Sequence, residues 1–310
     1  MKTTFLVSLN QMGIFFLFML IGYFFQKKKV TPENASDTLS KLLLWLFMPA
    51  TCFRTFAENC TRETVVTRAP LLRMSFGLLL ASIGLAWVLS RVLTKNERTR
   101  EVYLFGLIVA NFGYLGYSLI EAVYGGEMLF EFMVFGMPFN MFIYSFGMFI
   151  FRPDKKLNLN IFTSPTIVAI FVGIAVGLIG IPLPAFFTGV VSGAAGCMTP
   201  AAMLITGMVL AGIPLKQAFG GWRSYVVVAL RLIFLPVFFS ALMYFVTRDP
   251  KASFFTAAML CLPVGLNSVV FSKAYGGDAE SGAAVCFLST LFGLVTIPLI
   301  YAAATAVFGI

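Results

Sequence analysis

The sequence predicts an all-α polytopic membrane protein, with ten transmembrane helices in two inverted five-helix repeats. Three observations carry that prediction. Of 310 residues, 59% are hydrophobic and only 11% charged, with a mean hydropathy of +0.93; an ordinary soluble domain has about 25% charged residues. The cations gather in short clusters between apolar runs. A single offset also superposes a series of residues from the first half of the chain on the second.

A soluble globule is excluded because 22 Lys and Arg with 13 Asp and Glu cannot supply the polar skin of a 34.0 kDa chain. A spanning helix takes about 20 apolar residues, so ten use roughly 200 and leave no room for a separate soluble domain.

The first run, Phe5 to Phe25, is followed by Lys27, Lys28 and Lys29. A secretory signal carries its charges before the apolar core, so this run reads as a retained helix with its N-terminus outside. The further spans are Leu39 to Phe56, Pro70 to Leu89, Val102 to Val123, Leu129 to Phe151, Pro165 to Ile181, Phe186 to Leu210, Tyr225 to Val246, Phe254 to Lys273 and Gly282 to Phe308.

Alternate connections carry Lys27, Lys28, Lys29, Lys41, Arg91, Lys95, Arg98, Arg100, Arg152, Lys155, Lys156, Lys216, Arg223 and Lys273; the opposite set holds Lys2, Arg62, Arg68, Arg73, Arg248 and Lys251. The excess of cytoplasmic cations in membrane proteins puts the first set inside and both termini outside. The net charge of +9 is thereby a topology signal, and no nucleic-acid partner is implied.

The offset of 151 pairs Gly22 with Gly173, Pro49-Ala50 with Pro200-Ala201, Thr55 with Thr206, and Tyr124-Gly125-Gly126-Glu127 with Tyr275-Gly276-Gly277-Asp278. Five spans per half return the chain on the opposite side, so the repeat is inverted. The halves are residues 1–151 and 152–310.

Two clusters predict interrupted helices. In the fourth span, Asn111, Gly113, Tyr114, Gly116 and Ser118 interrupt an apolar stretch; in the ninth, Pro263, Val264, Gly265, Asn267 and Ser268 do the same. Small residues also permit close helix contact, which explains any one glycine. Two clusters at corresponding places favour a midplane binding site, where unwound backbone meets a ligand. Half-helix N-termini and Asn amides suit a carboxylate. Pro49 and Pro200 mark further helix breaks that either line the same cavity, with the Thr51 hydroxyl as a contact, or serve packing alone.

Charges inside spans are few, so each is a functional candidate. Arg231 either snorkels, attracts an anion, or pairs with a carbonyl or helix C-terminus. Lys273 is a charge at the cytoplasmic mouth or an interfacial anchor. Glu121 is the candidate proton carrier.

With His absent, catalytic triads and histidine-ligated metals are excluded. The five cysteines show no metal-ligand spacing. No phosphate loop occurs. The chain is therefore expected to be no enzyme and to need no cofactor or metal.

Ala110-Asn111-Phe112-Gly113-Tyr114-Leu115-Gly116 with Tyr124-Gly125-Gly126, Leu262-Pro263-Val264-Gly265 with Val270 to Tyr275, Thr199 to Met203, and Arg231 to Pro236 resemble the auxin efflux carrier family. That family includes plant PIN-type auxin exporters and bacterial malonate or malate permeases. The resemblance runs nearly end to end. It implies that the fourth and ninth helices are broken and cross beside the substrate, that Asn111 contacts a carboxylate, that Pro263 to Gly265 supply the ninth-helix break, and that Thr51 and Cys52 enter the site. Ala110 stands where the plant carriers have a crossing Pro, and Ser118 where relatives commonly have Pro; the third span lacks the acidic residue of the plant site. The short connection after Arg152 is closer to a compact bacterial permease than to long exporters.

The expectation is a secondary active or facilitative transporter of small organic anions in the bacterial inner membrane. Its partners are the anion, the lipid bilayer and a coupling ion, either a proton or sodium, with a homodimer left open. The alternatives are a membrane-embedded ligand sensor or scaffold, and a sodium-coupled carrier like the bile-acid symporters.

Overall fold

The computed structural model describes residues 2–151, 164–180, 182–212, 219, 221–265 and 267–310, without the side chains of residues 144, 145, 148, 273 and 274. Arg152, Lys155, Lys156 and Lys216 of the cationic set, and the side chain of Lys273, lie outside the described residues.

Helices account for nearly all of the described chain. In order they are α1 (Lys2–Lys27), α2 (Ala35–Leu42), α3 (Met48–Asn59), α4 (Arg62–Leu93), α5 (Glu97–Ile108), α6 (Tyr117–Tyr124), α7 (Gly126–Phe142), α8 (Met148–Phe151), α9 (Pro165–Ile179), α10 (Ala185–Gly196), α11 (Met198–Ala211), α12 (Trp222–Ala229), α13 (Leu235–Thr247), α14 (Pro250–Leu260), α15 (Asn267–Tyr275) and α16 (Ala279–Phe308). Single π-helical turns join α2 to α3 (Leu43–Phe47), α7 to α8 (Ile143–Gly147) and α12 to α13 (Leu230–Phe234), and another, Phe112–Gly116, precedes α6. Among the described residues, five helical stretches are long and apolar enough to cross a membrane: Thr4–Lys27, Arg62–Leu93, Ala185–Ala211, Trp222–Thr247 and Ala279–Phe308. The outside is apolar as well: Phe186 is 84% exposed, Val307 75%, Trp45 72% and Phe245 71%. Water would penalise such a surface, and lipid does not.

The helices pack as two bundles. In one, α1 lies along α11 and α3 along α9, with α10 against α3; in the other, α4 packs on α5 and α7, α13 on α14, and α16 on α12, α14 and α15. They meet where α1 touches α16 and α6, and where α3 touches α7.

The repeated residues occupy matching roles. Gly22 of α1 abuts the Leu204 main chain of α11, and Gly173 of α9 abuts that of Phe53 in α3. Gly125 and Gly276 end α6 and α15 at φ of 87° and 72°, a region that side chains with a Cβ rarely adopt. This is why Tyr-Gly-Gly recurs at both places.

Pro49 does not end its helix, whereas Pro200 follows the break at Cys197 that separates α10, ending at Gly196, from α11, beginning at Met198. Pro49 is the second residue of α3, directly after the π-turn Leu43–Phe47, where the widened turn relieves the clash between a proline ring and the carbonyl four residues back. Pro200 sits in the first turn of α11, where the N–H it lacks would have no intrahelical acceptor.

Candidate functional site

Two interruptions define the site. Residues 109–111 separate α5 from the Phe112–Gly116 turn, and residues 261–265 follow the end of α14 without helical structure. The gaps meet: Ala110 and Val264 form an isolated antiparallel bridge, and the Asn111 N–H donates to the Pro263 carbonyl at 2.8 Å. The Val264 N–H donates to Ser289 Oγ of α16 at 3.0 Å. Backbone that a broken helix leaves bare is thus partly satisfied by the other break.

Beside the meeting point lies a cavity of about 30 Å³ lined by Met48, Ala110, Asn111, Phe112, Gly113, Tyr114, Asn140, Ile143, Gly265 and Asn267. That is room for about one water, too little for an organic anion. Phe112 begins one half-helix and Asn267 the other, so both helix N-termini face one space. Each carries roughly +0.5 of an elementary charge. The side-chain amides of Asn111 and Asn267 have no protein partner among the described residues, while Asn140 donates to the Tyr117 hydroxyl at 2.9 Å. The arrangement offers amide donors and positive dipole to one anion, with no Lys or Arg among the described residues that line it.

Of the residues expected from sequence, Asn111, Gly113, Tyr114, Gly265 and Asn267 line this cavity. The others do not. Pro263 and Val264 build the break through their main chains. Gly116 makes room for Leu262, whose Cδ1 would be 2.6 Å from an added Cβ. Thr51 spends its hydroxyl on the Phe47 carbonyl at 2.9 Å, and Cys52 is buried in the core. From that stretch it is Met48 that reaches the site, with its Cε beside Gly113.

Two of the charged candidates, Glu121 and Arg231, sit elsewhere, and the side chain of Lys273 lies outside the described residues. Glu121 pairs with Arg54, joining α6 of one bundle to α3 of the other. Close by in sequence, Thr199 Oγ1 donates to Ser118 Oγ at 2.5 Å, again across the bundles. Arg231 is fully buried and donates to two carbonyls, Leu107 at 2.8 Å and Leu262 at 3.2 Å. It does not snorkel.

Two residues escaped the sequence reading. Asn140 is an amide in the apolar second half of α7, a signal that polar residues within a span give by default. Glu131 of α7 is 1% exposed and shared by Arg68 of α4 at 2.7 Å and Lys251 of α14 at 2.8 Å. It stands two residues inside the span Leu129 to Phe151, between Phe130 and Phe132.

Comparison with known proteins agrees with this architecture. A family described as "Membrane transport protein" matches the chain twice, over residues 7–158 and 154–301. An uncharacterized transporter of Methanothermobacter thermautotrophicus is 22% identical over 292 residues, covering 91% of this chain and 93% of the relative. An uncharacterized transporter of Methanocaldococcus jannaschii is 22% identical over 310 residues, covering 95% and 98%. The family is one of transport proteins rather than enzymes. With nearly its whole length matched, the chain belongs to the membrane transport protein family, which is the auxin efflux carrier family its motifs resemble.

Proposed function

We propose that the protein is a secondary active or facilitative transporter of small organic anions, carboxylates such as malonate or malate or auxin-like acids, working by alternating access. The observation that carries this reading is the convergence of two half-helix N-termini and the amides of Asn111, Asn140 and Asn267 on one cavity. Two N-termini together offer about one positive charge, which matches a single carboxylate.

In this reading the ten spans form two inverted repeats, residues 1–151 and 152–310, whose broken fourth and ninth helices cross at Ala110 and Val264. The membrane is the cytoplasmic one, with both termini outside. The bundle containing the breaks rocks against the bundle of α1, α3, α9 and α11. Arg54–Glu121 and Ser118–Thr199 then lie toward the outer face and hold it shut, and they part when the site opens outward. Glu121, engaged by Arg54, acts as a latch partner and not as a free proton carrier.

The test is Asn111→Ala in purified, folded protein. A panel of mono- and dicarboxylates is screened by thermal shift, and counterflow of the stabilising anion is measured in proteoliposomes. The expected result is at least tenfold weaker binding, about 1.4 kcal/mol or more, with the unliganded transition nearly unchanged. Wild-type affinity in the variant refutes the site, and binding without counterflow in the wild type refutes transport.

A further inference from the structure

Arg231 occupies an unusual place. The π-turn Leu230–Phe234 carries it, it is fully buried, and among the described residues its hydrogen-bond partners are carbonyls and not carboxylates. Leu107 belongs to the last turn of α5, and Leu262 follows the end of α14. One guanidinium therefore ties together the C-terminal ends of both first half-helices, while both second half-helices turn their N-termini to the cavity.

The charges account for its survival there. A helix C-terminus carries roughly −0.5 of an elementary charge, and two of them offset one guanidinium without any carboxylate. Packing alone does not explain the choice, since among the described residues Nη2 is buried with no hydrogen-bond partner and an apolar residue of similar volume would avoid that cost.

Unwound carbonyls and half-helix C-termini are also the ligands that carriers use for a coupling cation. We infer that Arg231 is a resident cation: it holds the two interruptions in register and fills the carbonyl site at which a sodium-coupled carrier would bind its ion. The ion role rests on the transport reading; the holding role does not. Anion binding at the opposite, N-terminal side of the breaks then needs no sodium.

Thermal unfolding of the detergent-purified full chain tests this without any substrate. Wild type should melt at the same temperature in sodium chloride and in choline chloride at equal concentration. Arg231→Gln should lower the transition by about 5 °C or more. Arg231→Ala, which leaves space, should recover a few degrees on adding millimolar guanidinium, far below denaturing levels, and wild type should not respond. Neutral variants that melt like wild type, an alanine variant without guanidinium rescue, or a sodium-specific rise in the wild type would each overturn the inference. If neither neutral variant folds, the sodium comparison on wild type still decides the ion role, and Arg231→Lys decides the holding role: an ammonium puts all its donors on one atom, where the fork presents two separate nitrogens to the two carbonyls, so a lower transition is expected and a wild-type one refutes it. Failure of every carboxylate to move in counterflow sinks transport while leaving these melting results to be judged alone.

Discussion

In the bundle of α1, α3, α9 and α11, glycine sets backbone against backbone; around the interruptions it sets backbone against a cavity. A Cβ added at Gly207 would lie 1.9 Å from the Met19 carbonyl oxygen, and one at Gly22 would lie 2.2 Å from that of Leu204. Main chain in a helix cannot yield without moving the helix. At Gly265 the nearest atom would be the Ala110 oxygen at 3.7 Å, and at Gly113 the flexible Met48 Cε at 3.2 Å. One bundle is therefore a tightly spaced frame, and the other keeps space beside its bare peptide groups.

The largest expected effect breaks the frame. Gly207→Val should destabilise by about 3 kcal/mol or more, since overpacking here cannot be absorbed by rotamers, and the variant should lose its monodisperse peak in size-exclusion chromatography. Gly265→Ala should melt within a few degrees of wild type yet bind the anion at least tenfold more weakly, because its methyl group enters a cavity of about 30 Å³. Equal loss of fold in both variants would erase the distinction.

The same contrast shows what was legible in the sequence. Apolar runs closed by cations mark the spans well: Lys27 stands in the last turn of α1 and Arg91 in that of α4. The recurrence of Tyr-Gly-Gly marked two chain reversals that demand positive φ. Which glycines space helices and which leave room for a ligand was hidden, since Gly113 and Gly116 are three residues apart and serve opposite ends. The π-turns were hidden too. Leu43–Phe47 is wholly apolar, and its extra residue rotates the following face, so that Met48 reaches the site where Thr51 and Cys52 were expected. Arg231 finds acceptors 31 and 124 residues away, and Glu131 finds cations on two other helices; no local pattern encodes such distances.

A smaller effect concerns what holds the broken bundle. Asp278 caps α16 through the Ser281 N–H at 2.9 Å and also accepts from Thr99 of α5 at 2.6 Å. Burial pushes its carboxyl up, but hydrogen bonds from the Ser281 N–H, the Thr99 and Ser281 hydroxyls and the Glu280 N–H outweigh it and hold the group below its ordinary 3.8. A carboxyl depressed in the folded state stabilises fully above its ordinary value and loses that contribution as pH falls through the depressed one. Asp278→Ala should therefore cost about 1 kcal/mol at neutral pH and flatten the acid limb of the melting curve below about pH 4. An unchanged acid limb would mean that this cap carries none of the pH dependence.

The smallest effect on stability belongs to the contact between the two bundles. Arg54 and Glu121 are 22% and 40% exposed in their side chains, and solvent screening at such sites leaves a pair about 0.2 to 1 kcal/mol. A double-mutant cycle with Arg54→Gln and Glu121→Gln should return a coupling in that range and move the melting transition by no more than about 2 °C. The value matters because a latch in a carrier has to be weak. A bias of about 1 kcal/mol shifts two interconverting states roughly fivefold, enough to alter the initial rate of counterflow, whereas a bond worth several kcal/mol would lock one state. A coupling well above this range, or a loss of fold like that of Gly207→Val, would place the pair with the frame and leave the outer closure to other contacts.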